Sequence, residues 1–122
     1  MRCFVSVAEH LNLTRAAEEV GVSQPAMFGA DANWGRVLCA MGYSKAPFRP
    51  EYVSVAFESA AGSVAVCDKG AALDFDEELA KKVLSESEVT IAVDVNEGED
   101  SATAWGCDLT YDYVKINGDY RT

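Results

Sequence analysis

Histidine and cysteine dominate nucleophilic and metal sites, and the sequence offers few of them. It contains one histidine, His10, and four cysteines, Cys3, Cys39, Cys67 and Cys107. A Ser-His-Asp or Cys-His arrangement would depend on that one histidine, which has no neighbouring cysteine in sequence. Zinc sites use closely spaced ligand pairs such as Cys-x-x-Cys, which are absent. We therefore predict free, buried thiols that pack as small apolar groups, with a reactive cysteine as the alternative.

Carboxylates are more numerous, but their spacing does not define a site. Five aspartates of the C-terminal third fail to follow the ligand spacing of a calcium-binding loop. The sequence also lacks the glycine-rich motifs that bind nucleotide phosphates. We predict a solvated acidic face formed by Asp94, Asp100, Asp108, Asp112 and Asp119.

Length and composition predict one soluble globular domain. The chain has 122 residues and is 49% apolar, which is enough to bury a core and argues against disorder. Its net charge of -10 opposes the neutralisation of phosphates by Lys and Arg, so we do not expect nucleic-acid binding. No apolar run reaches the roughly 20 residues of a membrane helix, and the start lacks the pattern of a signal peptide. We therefore expect an intracellular protein that contacts no membrane.

After residue 28, periodicity and capping patterns predict a mixture of helices and strands. "NWGRVLCAMGYS" predicts a helix that stops at Gly42, and "DFDEELAKKVLSES" predicts one capped by Asp74 or Asp76. "YVSVAFE" and "VAVCD" alternate as strands do and are joined by the turn "AAGS". "VTIAVDV" and "ATAWGCDL" predict two further strands. We expect Trp34 and Trp105 to lie in the core.

The segment "TYDYVKINGDY" fits two kinds of secondary structure. Tyr113, Ile116, Asn117 and Tyr120 fall at helical spacing, whereas Tyr111 and Tyr113 have the spacing of a strand. We favour a helix.

Residues 1–27 have a different pattern. The apolar positions from Phe4 to Leu11 have helical spacing, and Thr14 and Ser23 are candidate N-caps of two further helices. The motifs "FVSVAE", "TRAAE" and "VSQPA" resemble the start of the helix-turn-helix of LysR-type transcription regulators. The rest of the recognition helix has no counterpart here. We predict an incomplete helix-turn-helix-like segment, and a DNA-binding regulator fragment is the alternative function.

Residues 28–122 carry a longer resemblance. "FGADANWGR", "LCAMGYS", "GSVAV", "SATAWGCDLTYDYVKIN" and "DYRT" resemble the C-terminal part of the glutamate N-acetyltransferase family, also called ornithine acetyltransferases. This resemblance implies a second unit at residues 28–122. The implied fold class is α+β: a short helical N-terminal segment, then a mixed α/β C-terminal domain that forms part of the family's α-β-β-α sandwich.

The resemblance also implies an activity. The family transfers an acetyl group from N-acetylornithine to glutamate in arginine biosynthesis, through a threonine nucleophile released by self-cleavage. The cleavage motif and the Thr-Gly oxyanion pair are absent here, so we expect the chain to be inactive without the N-terminal portion of such an enzyme. Acetyl-CoA is a possible acetyl donor in bifunctional members, and no other cofactor is expected. The implied location is the cytoplasm, or alternatively the mitochondrial matrix. An inert structural module is a further alternative.

Two residues match substrate-contacting positions of the family, Asn117 and Thr122, and no catalytic or metal-binding residue carries over. The amide of Asn117 offers a donor and an acceptor, and Thr122 offers a hydroxyl. The alternative reading of Asn117 is structural, because Asn before Gly118 is a common pair at helix ends and turns.

Overall fold

The computed structural model describes residues 3–8, 30–107 and 111–119. These residues form one six-stranded sheet and three α-helices, so the predicted mixture of helices and strands is confirmed. None of the described helices is long and apolar enough to cross a membrane. In chain order the elements are β1 (Cys3–Ala8), α1 (Trp34–Tyr43), β2 (Ser54–Ser59), β3 (Gly62–Asp68), β4 (Ala71–Ala72), α2 (Glu77–Leu84), β5 (Glu88–Asp94), β6 (Ala102–Cys107) and α3 (Tyr111–Asp119).

The sheet is mixed, with strand order β4-β3-β2-β5-β1-β6. Strand β1 runs parallel to β5, and every other neighbouring pair is antiparallel. The two strands predicted on either side of "AAGS" form the hairpin β2–β3, as expected. The other strands are joined by helices or longer loops. Strands β5 and β6 lie on opposite sides of β1.

One face of the sheet forms the core because the apolar residues of its strands alternate. Val55 and Phe57 of β2 are buried, and their neighbours in β2 are more exposed. Strand β5 has the same pattern, and α1 and α2 supply apolar side chains to the same cluster. This helix-on-sheet arrangement corresponds to one α-β half of the implied sandwich.

Helix α2 begins where the sequence predicts. Oδ1 of Asp76 accepts hydrogen bonds from the backbone N–H groups of Glu78 (2.9 Å) and Leu79 (3.1 Å), so Asp76 is the N-cap. Glu77 and Glu78 lie in the first turn, where negative charge favours the helix dipole. The inner side of α2 buries Ala80, Val83 and Leu84.

Helix α1 is confirmed, but its end differs from the prediction. The helix continues through Gly42 to Tyr43, and the left-handed residue after it is Lys45, with φ 59°. The buried side chain of Ser44 explains the difference. Its Oγ donates to the carbonyl of Met41 at 2.6 Å, which satisfies a terminal carbonyl of a helix that ends one residue after Gly42.

The helix predicted from Phe4 onward is wrong for Cys3–Ala8, which form strand β1. "CFVSVA" fits a strand as well as a helix, since its β-branched valines alternate. Strands β5 and β6 flank β1 and provide ladder partners on both sides, so tertiary pairing decides the conformation. The helices predicted from Thr14 and Ser23 lie outside the described residues. A boundary between residues 27 and 28 stays a prediction, although β1 shares a sheet with the later strands.

Replacing Gly70 with alanine is expected to destabilise the fold by roughly 2–3 kcal/mol. Gly70 has φ 72°, its N–H donates to Val53 O at 2.9 Å, and an added Cβ would collide with the carbonyl of Pro50. Gly42→Ala is the control, because a Cβ there meets no atom within 4 Å and a glycine inside a helix is itself unfavourable. Urea denaturation measures both. Equal stability of Gly70→Ala and the parent chain would contradict this account.

Candidate functional site

The structure describes one of the two residues that are predicted to contact substrate. Asn117 lies in the last turn of α3, so the helix predicted for this segment is confirmed. The helix continues through Gly118 to Asp119, so Asn117 and Gly118 do not form a turn outside it. Thr122 lies outside the described residues, and its substrate contact stays a prediction.

Helix α3 presents large apolar side chains to solvent. Tyr111 is 83% exposed and Ile116 is 68% exposed, and Lys115 and Asp119 are exposed as well. Asn117 therefore belongs to a helix whose described surface carries both apolar and charged exposed side chains.

The prediction that both tryptophans lie in the core is wrong for Trp105, which is 76% exposed in β6. Trp34 is partly buried and packs against the core, as expected. The difference follows from register. Trp105 pairs with Val5 of β1, and Val5 pairs with Thr90 of β5. Thr90 is the strand neighbour of the buried Ile91 and therefore points to the other face. Directly paired residues share one face of a sheet, so Trp105 lies on the face opposite the core.

We call the side of the sheet that faces away from α2 the open face. Its central positions are small: Ala56, Ala65 and Ala92 pair across β2, β3 and β5, and none is buried. Together with Leu73 they line a shallow pocket of about 440 Å³. Exposed apolar side chains that lie together on one sheet face favour a docking surface.

The polar edge of this pocket is acidic. Asp68 and Asp94 lie there with Ser54, whose Oγ donates to Oδ1 of Asp68 at 2.8 Å. Oδ1 of Asp94 accepts from the backbone N–H of Asn96 at 2.7 Å. Both aspartates are exposed, as is Asp100, which fits the predicted acidic face where it is described. Within the described ranges, no group of three or more His, Cys, Asp or Glu is arranged to hold a metal ion.

The cysteines differ from one another in burial. Cys67 is buried as predicted, and its Sγ donates to the carbonyl of Val53 at 3.6 Å. Burial raises the pKa of the Cys67 thiol, which keeps it protonated and a poor nucleophile. The prediction of burial is wrong for Cys39, which lies on the exposed side of α1. The side chains of Cys3 and Cys107 lie outside the described residues.

A contact that the sequence does not reveal fixes the loop before β6. The guanidinium of Arg49 lies 3.5 Å from Oε1 of Glu97. The backbone N–H of Arg49 donates to Oε2 of Glu97 at 3.2 Å. The side-chain amide of Asn96 also donates to Tyr52 O at 2.7 Å. These contacts join positions more than forty residues apart, so no local motif predicts them. They connect the loop that leads into β6 with the segment before β2.

Comparison with known proteins identifies the family. The ArgJ family profile matches residues 7–122. The arginine biosynthesis bifunctional protein ArgJ 1 of Clostridium acetobutylicum is 57% identical over 97 residues, covering 80% of this chain and 24% of that protein. The glutamate N-acetyltransferase of Methanopyrus kandleri is 45% identical over 123 residues, covering 98% of this chain and 32% of that protein.

The fold agrees with this assignment. The crystal structure of the arginine biosynthesis bifunctional protein argJ from Bacillus halodurans superposes with a TM-score of 0.81 at 31% identity, covering 98% of this chain and 58% of that one. The chain spans about a quarter to a third of the length of the curated relatives it matches. By sequence and by fold, the chain belongs to the ArgJ family.

Proposed function

We propose that the chain is the C-terminal, substrate-contacting part of an enzyme that transfers an acetyl group from N-acetylornithine to glutamate. The family match over residues 7–122 carries this proposal. Relatives at 57% and 45% identity bear the names arginine biosynthesis bifunctional protein and glutamate N-acetyltransferase. The remainder of such an enzyme supplies the threonine nucleophile. Co-expression with that remainder, followed by an acetyl-transfer assay, tests the proposal.

The chemistry divides between the two portions. The threonine hydroxyl attacks the acetyl carbonyl, the amide bond to ornithine breaks, and the departing amine takes a proton. The amine of glutamate then attacks the threonine ester and regenerates the hydroxyl. Asn117 and Thr122 hold the amino-acid part of the substrate, through an amide and through a hydroxyl. Acetyl-CoA is the alternative donor, and this acyl transfer requires no other cofactor from the chain.

The partner in this proposal is the remainder of the enzyme, which covers the open face. Support comes from the exposed Trp105, from the small residues at the centre of that face, and from the pocket of about 440 Å³ that those small residues line. Covering such a surface with a second layer removes apolar area from water and stabilises the assembly. We place the assembled enzyme in the cytoplasm, with the mitochondrial matrix as the alternative.

Replacing Asn117 with alanine in the assembled enzyme is expected to raise the KM for N-acetylornithine about tenfold. A lost hydrogen bond to a charged group is worth roughly 1.5–3 kcal/mol. Lys115→Ala is the matched control, because Lys115 is an exposed residue of the same helix. Steady-state kinetics measure both variants. An unchanged KM for Asn117→Ala, with Lys115→Ala also unchanged, would leave Asn117 with only a structural role.

A further inference from the structure

A bulge in β3 brings Asp68 onto the open face. Ala65 and Asp68 are three residues apart, so a regular strand would place them on opposite faces of the sheet. The register of β3 on β2 shifts between them, and both intervening residues, Val66 and Cys67, are buried. A bulge of this kind changes the direction of the side chains that follow it. Asp68 therefore lines the open-face pocket together with Ala65.

Two rows of side chains cross this pocket. The first row is apolar, and we call it the alanine row: Ala56, Ala65 and Ala92. The second row lies two residues earlier in β2 and is acidic. Its central residue, Ser54, pairs with Asp94 of β5, and the Oγ of Ser54 donates to Oδ1 of Asp68 at 2.8 Å. The pocket therefore has a small apolar floor and two carboxylates along one side.

The acidic row carries two charges without a described counter-ion. Ser54 Oγ and the backbone N–H of Asn96 both donate to an Oδ1 atom, which leaves Oδ2 of Asp68 and of Asp94 available to other donors. Among the residues that the structure describes, no lysine or arginine forms an ion pair with either aspartate. A layer that covers the open face removes both carboxylates from water, and a buried charge without a partner is strongly unfavourable. That layer must therefore bring a cation to this position.

We propose that an arginine of the enzyme's remainder fills the pocket, with its methylene groups over the alanine row and its guanidinium between Asp68 and Asp94. This inference rests on the proposed function, since that function supplies the covering layer. The two aspartates lie on the two strands that flank β2, so their backbones are about 10 Å apart, two strand spacings. A planar guanidinium has N–H donors on several sides and can bond both carboxylates, whereas an ammonium is a point charge.

A second copy of this chain is a poorer occupant of the pocket. Each copy carries a net charge of -10, and two open faces in contact would bring two acidic rows into one interface. The remainder is the better source of the arginine. The chain spans 24% and 32% of two curated relatives, so most of such an enzyme lies outside it.

Dissociation kinetics test the proposal on the full chain, co-expressed with the part of the Clostridium acetobutylicum relative outside its matched residues. The double variant Asp68→Asn with Asp94→Asn is expected to leave the complex at least about 30-fold faster than the parent chain. Asparagine keeps an Oδ1 acceptor for Ser54 and for the N–H of Asn96, so the fold is retained, which urea denaturation of the isolated variant checks. Exchange against isotope-labelled chain, followed by mass spectrometry, measures the rate.

The control is Glu77→Gln with Glu78→Gln, which removes the same charge from α2, on the other side of the sheet. It should dissociate as the parent chain does, and an equal acceleration by the control would overturn the contact. An active complex in which the aspartate double variant dissociates at the parent rate overturns the contact and leaves the proposed function intact. Failure to form any complex overturns both. A dimer of the isolated chain that the aspartate double variant abolishes overturns the choice of occupant.

A double-mutant cycle identifies the cation. One arginine of the remainder, replaced by alanine, is expected to accelerate dissociation of the parent chain about as much as the aspartate double variant does. In the complex with that double variant, the same replacement should change the rate less than about twofold, because the contact is already lost. Additive effects for every arginine of the remainder would overturn the proposal, and coupling to a lysine instead would overturn the choice of arginine.

Discussion

The purified 122-residue chain is expected to transfer acetyl groups from N-acetylornithine to glutamate at least about 10⁴-fold more slowly than the assembled enzyme. Removing the attacking group of a covalent mechanism costs factors of this size or larger. Thr90 and Thr103 are internal residues of strands β5 and β6, so neither carries the free α-amine of an N-terminal nucleophile. On the proposed function, the chain would bind part of the substrate while the remainder supplies the threonine that accepts the acetyl.

Reconstitution provides the control for this result. Activity is expected to return when the chain is co-expressed with the remainder of a family enzyme, and to be lost when the nucleophilic threonine of that remainder is replaced by alanine. The amount of ornithine released, quantified by chromatography, measures the activity in each case. Turnover by the purified chain alone would contradict the division of labour proposed here.

Replacing Phe57 with alanine is expected to destabilise the chain by about 3–5 kcal/mol. Phe57 is 1% exposed, and its paired positions Val64 and Ile91 are buried with it on the core face. The free energy of unfolding of a small domain is only about 5–15 kcal/mol, so the variant would lose a large part of its stability. The loss combines reduced apolar burial with a cavity that the surrounding strands cannot fill.

Glu58→Ala is the matched control for Phe57→Ala, because Glu58 is the next residue of β2 and is exposed. Its change in stability is expected to stay within about 0.5 kcal/mol. Thermal unfolding followed by circular dichroism measures both variants. A cost below about 1 kcal/mol for Phe57→Ala would mean that the core face is not packed as described.

Most of the elements after residue 30 are readable from the sequence because their signals are local. Asp76 caps α2 and Val83 belongs to its apolar stripe, so a few neighbouring residues specify both the start and the buried side. The hairpin β2–β3 is similar, since alternation and a short turn define it. Helix α1 was predicted for the same reason, although its last residue depended on the buried hydroxyl of Ser44.

The features that the sequence did not predict depend on pairing between distant segments. Strand β1 has a pattern compatible with a helix, and only its position between β5 and β6 selects the strand. The exposure of Trp105 follows from the register of β6 on β1, which no local pattern contains. The contact of Arg49 with Glu97 also joins remote loops. In each case the deciding partner is remote in sequence.

The candidate site was predicted by resemblance to a family, not by chemistry visible in the residues. Asn117 before a glycine has an ordinary structural meaning, and nothing in its spacing indicates a substrate contact. The structure confirms that it lies in a helix after β6, on an element with exposed apolar residues. A half-site gives a weak signal because the groups that would complete it, including the nucleophile, belong to another portion of the enzyme.

The central claim is that this chain supplies substrate contacts and not the nucleophile. Mass spectrometry of the reconstituted complex tests it most directly, after brief incubation with N-acetylornithine and no glutamate. We expect the mass of one acetyl group to be added to the remainder polypeptide, at its threonine, and the 122-residue chain to keep its original mass. An acetyl group carried by the 122-residue chain itself would contradict the account.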